Sequence, residues 1–110
     1  MAIGDKMKGF LEQSAHTSKE LASKASAKAQ NLGEQGVLLL EIKKLKAKIE
    51  KLKESLGREV YDSFEIRNVE SINKTDEEIG KILEEIRNAI ETIDQKEIEL
   101  RDKKDAQKEI

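Results

Sequence analysis

Leucine and isoleucine recur every three or four residues through the middle of this chain. Alternating steps of four and three are the spacing of the two core positions in a heptad repeat, and they line one stripe of a helix. At Val60 and Phe64 the steps become four and four, which shifts the stripe locally without ending it. The pattern therefore predicts a first helix over residues 35–64. Its apolar positions are Leu38, Ile42, Leu45, Ile49, Leu52 and Leu56.

A second stripe of the same kind follows and predicts a second helix over residues 76–104. Between the two stripes, residues 65–75 keep no period and are predicted to form the turn. Thr75 with Glu78 three residues later fits a capping box, which marks the start of a helix. The apolar positions of the second stripe are Ile79, Ile82 with Leu83, Ile86, Ile90, Ile93 and Leu100.

Two stripes of similar length joined by a turn predict an all-α fold, an antiparallel two-helix coiled-coil hairpin over residues 34–110. Composition agrees, because 40% charged and 3% aromatic residues suit long helices with a narrow apolar stripe, and no proline interrupts them. Charge predicts the same pairing. Residues 43–53 hold six lysines and one glutamate, and they would lie beside six acids within residues 84–99. An isolated hairpin leaves both stripes half exposed, so we expect a helical bundle, formed by self-association or by an added third helix.

The first part of the chain, residues 1–33, is predicted to be a separate amphipathic helix rich in Ala, Ser and Lys. Gly33 and Gly36 predict a helix end and a hinge between this segment and the hairpin. Lysines flank its apolar face, which suits either packing on the hairpin or contact with an anionic membrane surface. The residues of this partner or membrane face are Ile3, Met7, Phe10, Leu11 and Leu21.

Candidate chemistry is sparse. Cysteine is absent, and His16 is the one histidine. No serine has a base arranged as in a catalytic triad, and no phosphate-binding glycine loop is present. We therefore predict a protein that is not an enzyme, with no catalytic residues, cofactor, metal or nucleic-acid partner. Near the turn, Tyr61, Phe64 and Ile66 either cap the core or contact a protein partner at the tip.

The segments "MAIGDKMKGFLEQ", "GVLLLEIKKLK" and "LGREVYDSF" resemble a family of small bacterial coiled-coil proteins of unknown function. These proteins begin with a Gly/Lys/Phe amphipathic segment and continue into a heptad helix, and the resemblance covers residues 1–64. Some relatives carry a zinc ribbon at the C-terminus, which needs cysteines that this chain lacks. The resemblance therefore implies a bacterial origin, but no metal and no specific activity.

These features predict a structural or adaptor coiled-coil protein that mediates self-association and protein–protein interaction. The alternative is a protein recruited to membrane surfaces by its N-terminal helix. The chain shows no secretory h-region and no apolar run of the ~20 residues that span a bilayer, so the predicted location is the cytoplasm.

Overall fold

The structure, a computed structural model, describes the backbone of residues 2–109 and the side chains of residues 19–109. Two helices, α1 (Ala2–Tyr61) and α2 (Glu77–Glu109), pack against each other in antiparallel directions. A short π-helix, Asp62–Ile66, continues α1 into the turn. The molecule is a rod of 100 × 17 × 16 Å. The predicted all-α architecture with two long packed helices is confirmed.

No break separates an N-terminal helix from the hairpin, because α1 runs without interruption through Gly33 and Gly36. A glycine within a helix costs about 1 kcal/mol relative to alanine, which weakens a long helix without ending it. Neither glycine adopts a positive φ angle, so neither acts as a helix cap. The predicted hinge is therefore absent, and residues 2–34 form the first half of α1. We call residues 2–34 the arm.

The arm extends past the end of the hairpin, because α2 stops at Glu109, near the level of Gln35. All residues from 19 to 30 are exposed, including Leu21. These residues do not cover the hairpin of their own chain as a third helix. The predicted face residues Ile3, Met7, Phe10 and Leu11 lie outside the side chains that the structure describes.

The hairpin core is one stripe on each helix, with the three-and-four spacing of a heptad seam. The buried apolar residues of this seam are Leu38, Ile42, Ile49, Ile79, Ala89, Ile93 and Leu100. The predicted seam residues that are half-buried are Leu45, Leu52, Leu56, Ile82 and Ile86. Leu83 is also half-buried, but it lies beside the seam, which passes through Ile82 by the same three-and-four steps. Ile90, which the sequence placed in the seam, is instead 45% exposed, whereas Ala89 beside it is 4% exposed. The reason is the phase of α2, whose seam steps by three from Ile86 to Ala89 and by four to Ile93.

The turn begins after Tyr61, where the α-helix changes to the short π-helix. The backbone N–H of Val69 donates to the Ser63 carbonyl at 2.9 Å, and Asn68 takes a positive φ of 54°, a conformation that asparagine tolerates. The Arg67 guanidinium donates to the Ser63 hydroxyl at 2.7 Å and to the Glu59 carboxylate. These hydrogen bonds connect the first residues of the turn to the last residues of α1 and to the π-helix.

The residue that precedes α2 is Asp76, one position after the Thr75 that the predicted capping box used. The Asp76 carbonyl accepts the first helical hydrogen bond from Gly80 N–H. Its carboxylate accepts from the N–H of Asn73 at 3.0 Å, and the Asn73 side chain accepts from Thr75 N–H at 3.2 Å. Asp76 and Asn73, rather than Thr75, therefore organise this helix start. At its other end α2 continues to Glu109, beyond the predicted residue 104.

Candidate functional site

The hairpin has two unlike flanks, one on each side of its seam. Each heptad has two seam positions, a and d. In an antiparallel pair, the residues directly before position a on both helices lie on one flank, and the residues directly after position d lie on the other flank. The contacts agree with this assignment. Lys46 lies 4.0 Å from Glu97 on one flank, whereas Glu34 and Glu41 receive lysines of α2 on the other.

The flank that contains Glu34 and Glu41 is closed by ion pairs. Lys96 Nζ donates to Glu41 Oε2 at 2.5 Å, and Lys103 Nζ donates to Glu34 Oε2 at 2.5 Å. Together with Glu99, these residues line a groove of about 460 Å³ at the open end of the hairpin. We call this side the polar flank, and we define it by Glu34, Glu41, Lys96, Glu99 and Lys103.

Lys96 and Lys103 occupy positions of the α2 seam itself, one step of three beyond Ile93 and Leu100. Their aliphatic stems can lie along the seam while their amines reach the carboxylates of α1. At the next seam position, Gln107 accepts a hydrogen bond of 2.7 Å from the buried Gln35 side chain. Polar residues at core positions fix the register of a coiled coil at some cost in stability. The polar residues of the open half therefore help to fix the register, among the buried side chains of Leu38, Ile42 and Leu100.

The direction of these ion pairs corrects the predicted charge pattern. The sequence placed lysines of the first helix opposite acids of the second, and Lys46 with Glu97 does follow that arrangement at 4.0 Å. The two shortest pairs between the helices have the acid on α1 and the lysine on α2. All six lysines within residues 43–53 are exposed, so this basic surface remains accessible to solvent.

The pKa of the Glu34 carboxyl is lowered, chiefly by the hydrogen bond from Lys103 and next by the positive charge of that lysine. A folded-state pKa below the unfolded one contributes stability above the unfolded pKa, and this contribution is lost as the pH falls through the folded pKa. Acidification therefore weakens the open end of the hairpin.

We expect Lys103→Met to raise the pKa of Glu34, because the variant removes both the donor and the charge. A carbon-detected NMR titration of the Glu34 carboxyl in both chains measures this difference, and Lys108→Met serves as an exposed control that leaves the titration unchanged. A Glu34 titration that is identical in wild type and Lys103→Met would show that the ion pair is absent in solution.

The second flank has a different chemistry, since its positions hold large apolar side chains. Leu39 is 52% exposed and Leu32 is 49% exposed, while Val60 and Leu83 are half-buried. Ile90 completes this set, and Lys46 with Glu97 forms its one interhelical ion pair among the described residues. We call this side the apolar flank, and we define it by Leu32, Leu39, Val60, Leu83 and Ile90. None of the polar-flank positions holds a large apolar residue in the described part of the hairpin.

The tip residues Tyr61, Phe64 and Ile66 do not cap the core, since they are 63%, 41% and 67% exposed. The small Ser63 side chain is buried at that level instead. Three large apolar side chains at an exposed turn form a second accessible surface, which we call the tip.

Within residues 19–109, no group of three or more His, Asp or Glu side chains is arranged to hold a metal ion. No helix in the part that was described is long and apolar enough to cross a membrane. No protein-family model matches the chain, and no curated protein or solved structure matches it either. The resemblance to small bacterial coiled-coil proteins therefore stays a prediction from the sequence.

Proposed function

We propose that this protein is a non-enzymatic structural or adaptor protein that acts by self-association and by binding other proteins. One observation supports this most strongly. The seam of the hairpin is already closed within one chain, yet five large apolar residues remain on a single flank. The residues form two apolar groups, one at the open end and one towards the tip, with the Lys46–Glu97 ion pair between them. Exposed apolar groups of this kind often mark protein–protein interaction sites.

Self-association is tested by sedimentation equilibrium of the full chain over a wide range of protein concentration. We expect an assembly larger than the monomer, because the apolar flank is removed from water only when a second surface covers it. Ile90→Asp should shift the assembly towards the monomer while the chain stays helical by circular dichroism. A chain that remains monomeric at every concentration would contradict the proposal.

The tip is our proposed contact for a protein partner. Exposed aromatic side chains are enriched at interface centres because they bury large areas with few rotatable bonds. A photoreactive amino acid at Phe64 should cross-link to one defined protein in cells, whereas the same group at Lys108 should not. Equal cross-linking from both positions would indicate that the tip selects no partner.

The arm favours a second candidate function, binding to a membrane surface. Its described residues are all exposed up to residue 30, and they carry three lysines and one glutamate. A lysine-flanked helix of this kind can lie on anionic lipid with weak, salt-sensitive affinity. Co-sedimentation with phosphatidylserine-containing vesicles tests this candidate. Binding that disappears on deletion of residues 1–32 and in high salt would favour it over the adaptor function, and absence of binding would exclude it.

A further inference from the structure

The arm carries an apolar face that continues into the apolar flank of the hairpin. Alternating steps of three and four connect the positions of this face, which are Ala22, Ala25, Ala29, Leu32, Gly36 and Leu39. All six are exposed. Leu32 and Leu39 also belong to the apolar flank, so a single heptad stripe runs from the arm onto the hairpin. This stripe is separate from the seam that α2 covers.

The length of the arm matches the length of the hairpin. The arm spans residues 2–34, and the paired part of α1 spans residues 35–63. An unpaired helix gains no tertiary packing, and most helical stability in proteins comes from such packing. A second chain running in the opposite direction can place its own arm beside this hairpin, and the first arm beside the second hairpin.

Charge favours the same arrangement. Residues 19–30 of the arm have three lysines and one glutamate, whereas α2 has eleven acidic and seven basic residues. An arm placed on the hairpin of another chain therefore lies beside the acidic α2, and also beside the exposed lysines of residues 43–53 on α1. An arm placed against a second arm would instead bring two basic segments together. Opposite charges help to select orientation and partner even where each surface pair is weak.

We infer that two copies of the chain form an antiparallel dimer in which the arm of each copy packs along the apolar flank of the other's hairpin. The inference rests on the proposed self-association and assigns it a surface. Each half of the dimer has three helices in cross-section, two from one hairpin and one from the partner's arm. Ala25 of the arm leaves room for the larger Ile90 side chain that lies opposite it in this arrangement.

We place the two-fold axis of this dimer beside Leu39, where the arm face meets the apolar flank just past the start of the hairpin. The two Leu39 side chains then meet at the axis. Ala25 and Lys53 lie two heptads from Leu39 in opposite directions, which brings Ala25 of one chain level with Lys53 of the other. Ile90 lies at that level as well. Lys46 is level with Glu97 within one hairpin, and one heptad further towards the tip the corresponding residues are Lys53 and Ile90.

Cysteine cross-linking tests this register, since the chain has no native cysteine. In the doubly substituted chain Ala25→Cys/Ile90→Cys, we expect a disulfide-linked dimer under mild oxidation. The two positions are about 40 Å apart within one chain, so the bond cannot form intramolecularly. The matched control Ala25→Cys/Thr92→Cys moves the second cysteine to the opposite flank and should not cross-link.

A pair of aspartate variants tests the surface without disturbing the seam. Leu39→Asp places two carboxylates at the two-fold axis and should weaken dimerisation by roughly tenfold or more. Val37→Asp changes a similarly exposed residue, 57% against 52%, on the polar side of the same helix turn and should leave the dimer intact. Sedimentation equilibrium and circular dichroism report both effects.

The outcomes separate this inference from the proposed function. A wild-type chain that is monomeric overturns both. A dimer that forms no Ala25→Cys/Ile90→Cys cross-link, or that tolerates Leu39→Asp as well as Val37→Asp, overturns the arm-on-hairpin arrangement and leaves self-association standing. A monomer whose arm binds anionic vesicles assigns the face to lipid and also overturns it.

Discussion

Ile49→Asp should unfold the hairpin at room temperature. Ile49 is 8% exposed in the seam, so the introduced carboxylate is largely removed from water. Loss of the apolar side chain and burial of a charge together should cost about 3–5 kcal/mol, which is comparable to what a single core of this size supplies. Circular dichroism with urea titration measures the effect.

Ile90→Asp is the matched control, because the same substitution then falls on a residue that is 45% exposed. We expect the hairpin to keep its helix content and to lose less than about 1 kcal/mol of intrachain stability. Comparable unfolding by both variants would place Ile90 in the seam and would contradict the observed phase of α2.

Lys96→Leu should stabilise the hairpin by about 1–2 kcal/mol, since it replaces a charged side chain at a seam position with an apolar one. Glu41, its partner, is partly exposed and can be solvated after the exchange. Part of the register specificity should be lost at the same time, because the polar residues of the open half no longer define one alignment as strictly.

The control for this variant is Lys108→Leu, at an exposed position outside the seam. It should change the free energy of unfolding by no more than about 0.5 kcal/mol. A decrease in stability for Lys96→Leu would show that the ion pair with Glu41 outweighs the apolar contact and that the open half of the hairpin is held by charge.

The hairpin itself could be predicted from the sequence because heptad spacing is a direct consequence of how helices pack. The sequence prediction chose Ile90 over Ala89 because isoleucine is the larger apolar residue. The phase of the helix, and not the size of the side chain, decides which of the two is buried. Following the three-and-four steps from Ile79 through Lys96, Lys103 and Gln107 would have identified the true seam, including its polar half.

The predicted break at Gly33 and Gly36 failed for a different reason. Glycine lowers helix propensity, but a helix that is already nucleated loses only a fraction of its stability at each such residue. Without a proline or a left-handed residue nearby, nothing stops propagation. In the proposed dimer, the continuous α1 joins the arm face to the apolar flank in one stripe.

The six lysines within residues 43–53 illustrate what local charge counts leave open. They suggested strong pairing with α2, yet they are exposed, and the short ion pairs lie elsewhere with reversed polarity. Net charge along a segment averages over all faces of a helix, whereas ion pairs form only at the positions that border the seam. Assigning each charge to a heptad position is therefore more informative than summing it.

Small-angle X-ray scattering of the full chain, with its mass measured in the same sample, tests most directly whether two copies overlap along their arms and hairpins. The single chain is 100 Å long. Two copies related by an axis beside Leu39 should double the mass while the longest dimension grows only to about 110 Å. A particle with the mass of one chain, or a dimer that reaches about 140 Å or more, would contradict the arrangement.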